Sequence, residues 1–171
     1  MTIATCTYTL KADLDDARTT IRSSVEKSLK RVQDSGQSHI LSLCYPLNDL
    51  DALAWLEQTA PTQEAAFYWE YPLEDLQIAA HTSIIDLNAS GTGRFDEVEK
   101  ELEKWKQRSI SIDLEGQEST SFLHAFGAFS FFDELYSSEW SNFGPAYWFI
   151  PQYLVKRQNG ATHLILSERI N

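Results

Sequence analysis

The sequence predicts an α+β domain, a mostly antiparallel sheet with helices packed on one face. Three observations carry that expectation. Short apolar and aromatic runs alternate with turn-forming Gly, Pro, Asn and Asp, which is the pattern of strands. Two stretches place apolar residues three, four and seven apart, which is the pattern of amphipathic helices. Neighbouring strand runs are joined by turns too short for a crossover, so they pair antiparallel.

Residues 2–10 (TIATCTYTL) read as a strand. Asp13 caps a helix whose first turn holds Asp15 and Asp16, where the dipole favours acids. Leu14, Ile21, Val25, Leu29 and Val32 form its apolar stripe, and Gly36 stops it. The run HILSLCYPL, 39–47, is a buried strand, and Asp49 or Asp51 opens a brief helix through Leu53, Trp55 and Leu56. Residues 65–71 and 76–87 are a strand pair turned by Pro72, Glu74 and Asp75. Ser90-Gly91-Thr92-Gly93 breaks the chain before a second amphipathic helix with Phe95, Val98, Leu102 and Trp105 on its buried seam. Its outer face lacks helpful spacings four apart, so packing must hold it. Strands resume at 122–132, 145–157 and 161–167, the last two meeting at Asn159-Gly160, a hairpin signal. No repeat, low-complexity tract or linker divides the chain, so 1–171 reads as a single domain.

The bulk numbers exclude several function classes. Lys and Arg total 14 against 25 Asp and Glu, a formal net charge of −11. Nucleic-acid binding rests on clustered cations, so no nucleic-acid partner is expected. No apolar run approaches the roughly 20 residues of a spanning helix, so no membrane partner is expected. The start lacks the basic and apolar regions of a signal peptide. Cys6 and Cys44 are therefore expected to be free thiols in a reducing cytoplasm.

Chemical motifs are sparse. His39, His81, His124 and His163 each stand singly in a strand-like run, with no metal-ligand spacing beside them. Cys44 lies in apolar LSLCYPL, which makes a thiol inert. Gly91 and Gly93 give half of a dinucleotide fingerprint, but Asp96 stands where the third glycine belongs. A turn and helix start explains them. The acids are too many for spacing to assign any pair an acid or base role.

Two segments then matter together: FYWEYPLEDLQIAA, 67–80, and AFGAFSFFDELYSSEWSNFGPAYWFIPQYLVKR, 125–157. They resemble the amino-terminal part of isochorismate synthases, in the chorismate-utilising family with anthranilate and salicylate synthases. The features are Phe67-Tyr68-Trp69-Glu70 with Pro72, Ile78-Ala79-Ala80, and Phe126-Gly127-Ala128-Phe129-Ser130-Phe131-Phe132-Asp133. Trp140, Phe143, Ala146, Phe149, Ile150 and Pro151 close the set, and the helix RFDEVEKELEKW, 94–105, matches the family's "RF" helix. Phe126 and Ala128 flank a single glycine where the family has "GGF", and His81 stands where small residues are usual.

The resemblance implies the conversion of chorismate to isochorismate for phylloquinone or menaquinone synthesis. It places a Lys base, a Glu acid and Mg²⁺-holding Glu residues in a carboxy-terminal part, which would be this chain's partner. In HLILSER, 163–169, His163 stands where the family's Lys is needed and Glu168 is interposed. No catalytic, cofactor-binding or metal residue is therefore assigned here. Mg²⁺ is expected for the full-length enzyme and no cofactor for this chain, which alone should be inactive. The alternatives are a stand-alone, non-catalytic binding module of the same fold, and an unrelated enzyme whose nucleophile is Cys44 or Cys6. Phe126, Phe129, Phe131 and Phe149 are expected on the buried face of the sheet. A domain made to meet a second part should also expose a large apolar patch near 122–157.

Overall fold

The computed structural model describes residues 14–62, 64–113, 118–119, 123–132, 141 and 143–171, with side chains described from Arg18 onward outside 118–119. The strand expected over 2–10, the cap at Asp13, Cys6, Asp133 and Trp140 lie outside the described residues. The order is α1 (Leu14–Ser35), β1 (His39–Leu47), α2 (Ala52–Thr59), β2 (Ala66–Tyr71), β3 (Leu76–Ala89), α3 (Arg94–Gln107), β4 (Ser109–Asp113), β5 (Glu118–Ser119), β6 (Phe126–Phe129), β7 (Ala146–Gln158) and β8 (Ala161–Ile170).

The strands form one sheet in the order β2-β3-β7-β8-β1-β4-β5, with β6 pairing β7 off that path. Its pairings are antiparallel except for β1 with β4, which is parallel. The α+β class and the antiparallel character are as the sequence implies. The parallel β4 and the short β5 were not. SISID is a short alternating strand that follows α3 after one residue, and only its partner β1, distant in sequence, makes it a strand.

Local chemistry sets the turns. Gly36 closes α1 at φ 65° with its N–H on Val32 O at 2.8 Å, the left-handed stop that glycine makes cheap. Asp51 caps α2 by accepting from the Ala54 N–H at 2.9 Å, a cap worth about 1 kcal/mol. Asn159 and Gly160 both adopt positive φ, as a tight hairpin between β7 and β8 requires. Arg157 draws three turns together. Its guanidinium lies 3.4 Å from Asp49 and 3.6 Å from Asp75, whose other oxygen accepts from the Gly160 N–H at 2.9 Å.

The helices do not share one face, which corrects the sequence expectation. Ile40 and Leu41 are neighbours on β1 and so point to opposite sides of the sheet. Leu41 packs with Val25 of α1, and Leu47, on the same side, packs with Trp55 of α2. Ile40 instead packs with Leu102 and Trp105 of α3. The cause is in the long strands. The central β7 buries Ile150 and Leu154 on one side and Val155 on the other, and a sheet apolar on both faces needs cover on both.

Two expected stripes are shifted. On α1 the fully packed positions are Ser24 and Ser28, 3% and 0% exposed, beside Val25, while Leu29 is exposed. Small residues let the helix lie close to β1, and the larger Leu29 is turned aside. On α3, Val98 is buried and Leu102 and Trp105 join the core, but Phe95 is half exposed. Two ion pairs three residues apart, Lys104–Glu101 and Lys106–Glu103, decorate its outer face. At exposed positions such pairs contribute little.

The ring-dense tail divides. Phe149 is buried, and Phe126 and Phe129 are half-buried. Phe131 is fully exposed, which corrects its expected burial. The physical reason is that β6 ends at Phe129: after one further bond, from the Ser130 N–H to Pro145 O at 2.8 Å, the chain bends at Phe131 and Phe132, beyond the last β6–β7 pair. Phe132 and Phe143 are exposed as well.

Candidate functional site

A groove of about 460 Å³ opens between α3 and the strands β6 and β7. One wall is the face of α3 that carries Phe95, Val98 and Leu102. The floor is Leu123, Ala125, Phe129 and Trp148, and Glu99, Glu103 and Lys106 stand at the rim. Phe95 and Phe129 meet ring to ring at 4.5 Å, and Phe129 meets Trp148 at 5.5 Å. Lys106 is engaged by Glu103 at 3.4 Å. An apolar groove with a paired charge at its rim can bind or pack, but it presents no acid–base pair aimed at a reacting atom.

Arg94 stands at the start of α3, next to Phe95 of the groove wall. It is 3% exposed, although it occupies the first turn of α3, where the helix dipole disfavours a cation. Its Nη1 donates to Gly91 O at 2.9 Å and its Nη2 to Ser130 O at 3.1 Å, while the guanidinium lies 4.5 Å from the Phe95 ring centre. The Ser90–Gly93 turn is thus held by a cation against its own carbonyl. With Asp96 and Glu97 in the first turn, the helix start is a turn, as its glycine spacing implies, and a poor cradle for an anion.

The four histidines are dispersed. His39 Nε2 meets Ser35 Oγ at 3.0 Å, tying the end of α1 to β1. His124 stacks beside Phe126, and His163 lies in β8 opposite Pro46 and Lys156. His81 is 4% exposed beneath α2. Among the described residues no group of three or more His, Cys, Asp or Glu gathers in a way that could hold a metal ion. They do not fit a Mg²⁺ site, and no step through Mg²⁺ is derived from them. The segment HLILSER runs as an ordinary strand, with Glu168 accepting from Gln152 Nε2 at 2.8 Å and Arg169 over the Trp105 ring.

Cys44 is buried against Ala80, Leu154 and Ile165. Burial first, and the neighbouring Asp113 carboxylate second, push its thiol up to about 11. At pH 8 the thiolate fraction is then roughly 100-fold below that of an ordinary cysteine. In a Cys6→Ser variant, labelling by a disulfide reagent at pH 8 is expected to be slower than for a free thiol by at least that factor. Urea should restore ordinary rates. Fast labelling of the native variant would restore Cys44 as a candidate nucleophile. The Tyr147 phenol is also perturbed: burial, then its hydrogen bond to Asp86 Oδ1 at 2.8 Å, push it up to about 12.

A mostly antiparallel sheet, covered by helices on both sides and opening into an apolar groove, defines a scaffold. Comparison with known proteins says of which kind. The family described as "chorismate binding enzyme" matches residues 27–171, and the chain belongs to that family. Among solved structures the chain is similar to MenF, the menaquinone-specific isochorismate synthase from Escherichia coli, at 17% identity and a TM-score of 0.48. That match covers 86% of this chain but 29% of the MenF chain. No curated protein matches the sequence.

Sequence reasoning found the long strands, the helices and the apolar setting of Cys44, and it missed β4, β5, Arg94 and the burial of His81. Arg94 and His81 each had a signal. A cation at the start of a helix needs a partner, and a histidine in a run of small residues needs two.

Proposed function

We propose that this chain is the amino-terminal scaffold of an isochorismate synthase, a cytoplasmic enzyme that converts chorismate to isochorismate for quinone biosynthesis. The observation that carries the reading is the family match over residues 27–171, which takes in both aromatic segments and α3. In this reading the proton-handling residues and the Mg²⁺ ligands belong to a carboxy-terminal chorismate-binding part. This segment supplies a rigid sheet and an apolar surface for that part to rest on. Exposed Phe95, Phe131, Phe132 and Phe143 support the second role, because burying such rings drives association.

The test is turnover. The 171-residue protein incubated with chorismate and Mg²⁺ is expected to yield no isochorismate by chromatography. A longer protein joining this segment to a chorismate-binding part should yield it. Turnover by the 171-residue protein alone would overturn the scaffold role.

A further inference from the structure

The polar cluster beneath α2 carries an inference independent of the proposed catalysis. The His81 ring lies between two aromatic rings, 5.0 Å from Trp55 of α2 and 5.0 Å from Tyr153 of β7. Both its nitrogens are bonded, Nε2 to Thr59 Oγ1 at 3.1 Å and Nδ1 to Thr82 Oγ1 at 3.0 Å. The directions of these bonds follow from the Thr59 hydroxyl. It gives its proton to Trp55 O at 2.8 Å, so its oxygen accepts and Nε2 must be the donor. In the neutral ring Nδ1 is then the acceptor, and the Thr82 hydroxyl donates to it.

Thr82 has an unusual backbone for that task. A β-branched residue at φ 60° is strained, and it sits where β3 slips register against β7 between Ser83 and Ile85. The partner strand holds Pro151 at that level, which has no N–H to donate, so the ladder is interrupted there in any case. The left-handed turn directs the Thr82 N–H to Ala65 O at 3.0 Å while its hydroxyl meets His81.

We propose that His81 is an acid-operated pin that couples the docking of α2 to the bulged conformation of β3. A proton on Nδ1 turns that atom from acceptor to donor, so the Thr82 hydroxyl must rotate to accept from it, and the hydroxyl's own proton loses its acceptor beside the strained backbone. A buried imidazolium is also poorly solvated. The surrounding elements offer little charge to offset this. Alpha-helix α2 presents Trp55 and Thr59, β2 presents Ala66 across the ladder, and β7 presents Tyr153. The carboxylate that acts on the ring is that of Glu64, in the exposed turn before β2. Burial lowers the affinity of His81 for a proton, and Glu64 partly restores it.

The sign follows by linkage. The unfolded or undocked segment binds the proton near the ordinary 6.5, and the docked state binds it less readily. Docking is therefore complete above that value and weakens as the pH falls through it.

Hydrogen exchange of the α2 amides, corrected for intrinsic rates, tests the pin in the whole protein between pH 5 and 7.5. Protection over 55–59 is expected to fall severalfold at the acid end. His81→Gln, which keeps one donor and one acceptor, should remove the pH dependence. Glu64→Gln lies on the surface and leaves folding intact. It should leave the onset near the undocked value and deepen the loss of protection in acid. Protection that is flat with pH in the unaltered protein, or unchanged in its pH dependence by His81→Gln, overturns the proposal. So does protection that rises in acid, the result expected if the two flanking rings hold the imidazolium by cation–π attraction.

Discussion

Gly127→Ala is expected to destabilise the protein by about 3 kcal/mol and to release β6 from β7. An added Cβ would lie 2.2 Å from Tyr147 O, 2.5 Å from Trp148 Cγ and 2.6 Å from Trp148 Cα. Two of those three atoms are backbone, so no rotamer change on β7 can relieve the contact. The strands would have to separate, and four paired positions from Phe126 to Phe129 depend on their approach. Loss of β6 also removes Phe129 from the groove floor and uncovers Trp148. Urea titration followed by tryptophan fluorescence would read the loss as a lower midpoint. Ala128→Ser, at an exposed neighbouring position, is the control and should stay within about 0.5 kcal/mol. A Gly127→Ala protein as stable as that control would show that β6 does not approach β7 this closely. The retained glycine of the family-like motif thus has a steric reason: only a residue without Cβ fits there.

That glycine shows how much of the fold the sequence carried and where it stopped. Local rules were readable. Gly36, Asp51 and Asn159-Gly160 act through their own backbone, and each ends or starts an element where the pattern places it. Periodicity found α3 and the long strands for the same reason. What stayed hidden depends on partners far apart in the chain. The parallel strand β4 exists because Ile110 and Ile112 lie beside Leu41 and Leu43 of β1. Phe131 lies beyond the last β6–β7 pair at Phe129–Ala146, an end that no alternation pattern records. The groove was not legible, because α3, β6 and β7 assemble it from separate stretches.

Arg94→Ala should be nearly as damaging, about 3 kcal/mol, because two carbonyls and one buried pocket depend on that side chain. Its hydrogen bonds reach Gly91 O on one side and Ser130 O on the other, so it joins the turn before α3 to the exit of β6. Hydrogen bonds from a charged group are worth about 1.5–3 kcal/mol each, and deleting the side chain removes both, leaving Gly91 O only the backbone N–H of residue 94 at 3.4 Å. Against this, alanine removes a cation from a helix start, a gain of at most about 1 kcal/mol. The losses therefore win. Arg94→Lys separates charge from shape. An ammonium is a single point and cannot span two carbonyls as the planar guanidinium does. We expect the lysine variant to recover less than half of the lost stability, measured by urea midpoint in both proteins. Hydrogen exchange should show the damage at β6 and at the first turn of α3, with β1 and β8 unaffected. Full recovery with lysine would mean that the positive charge alone matters, and the account of a two-pronged bridge between the turn and β6 would fall.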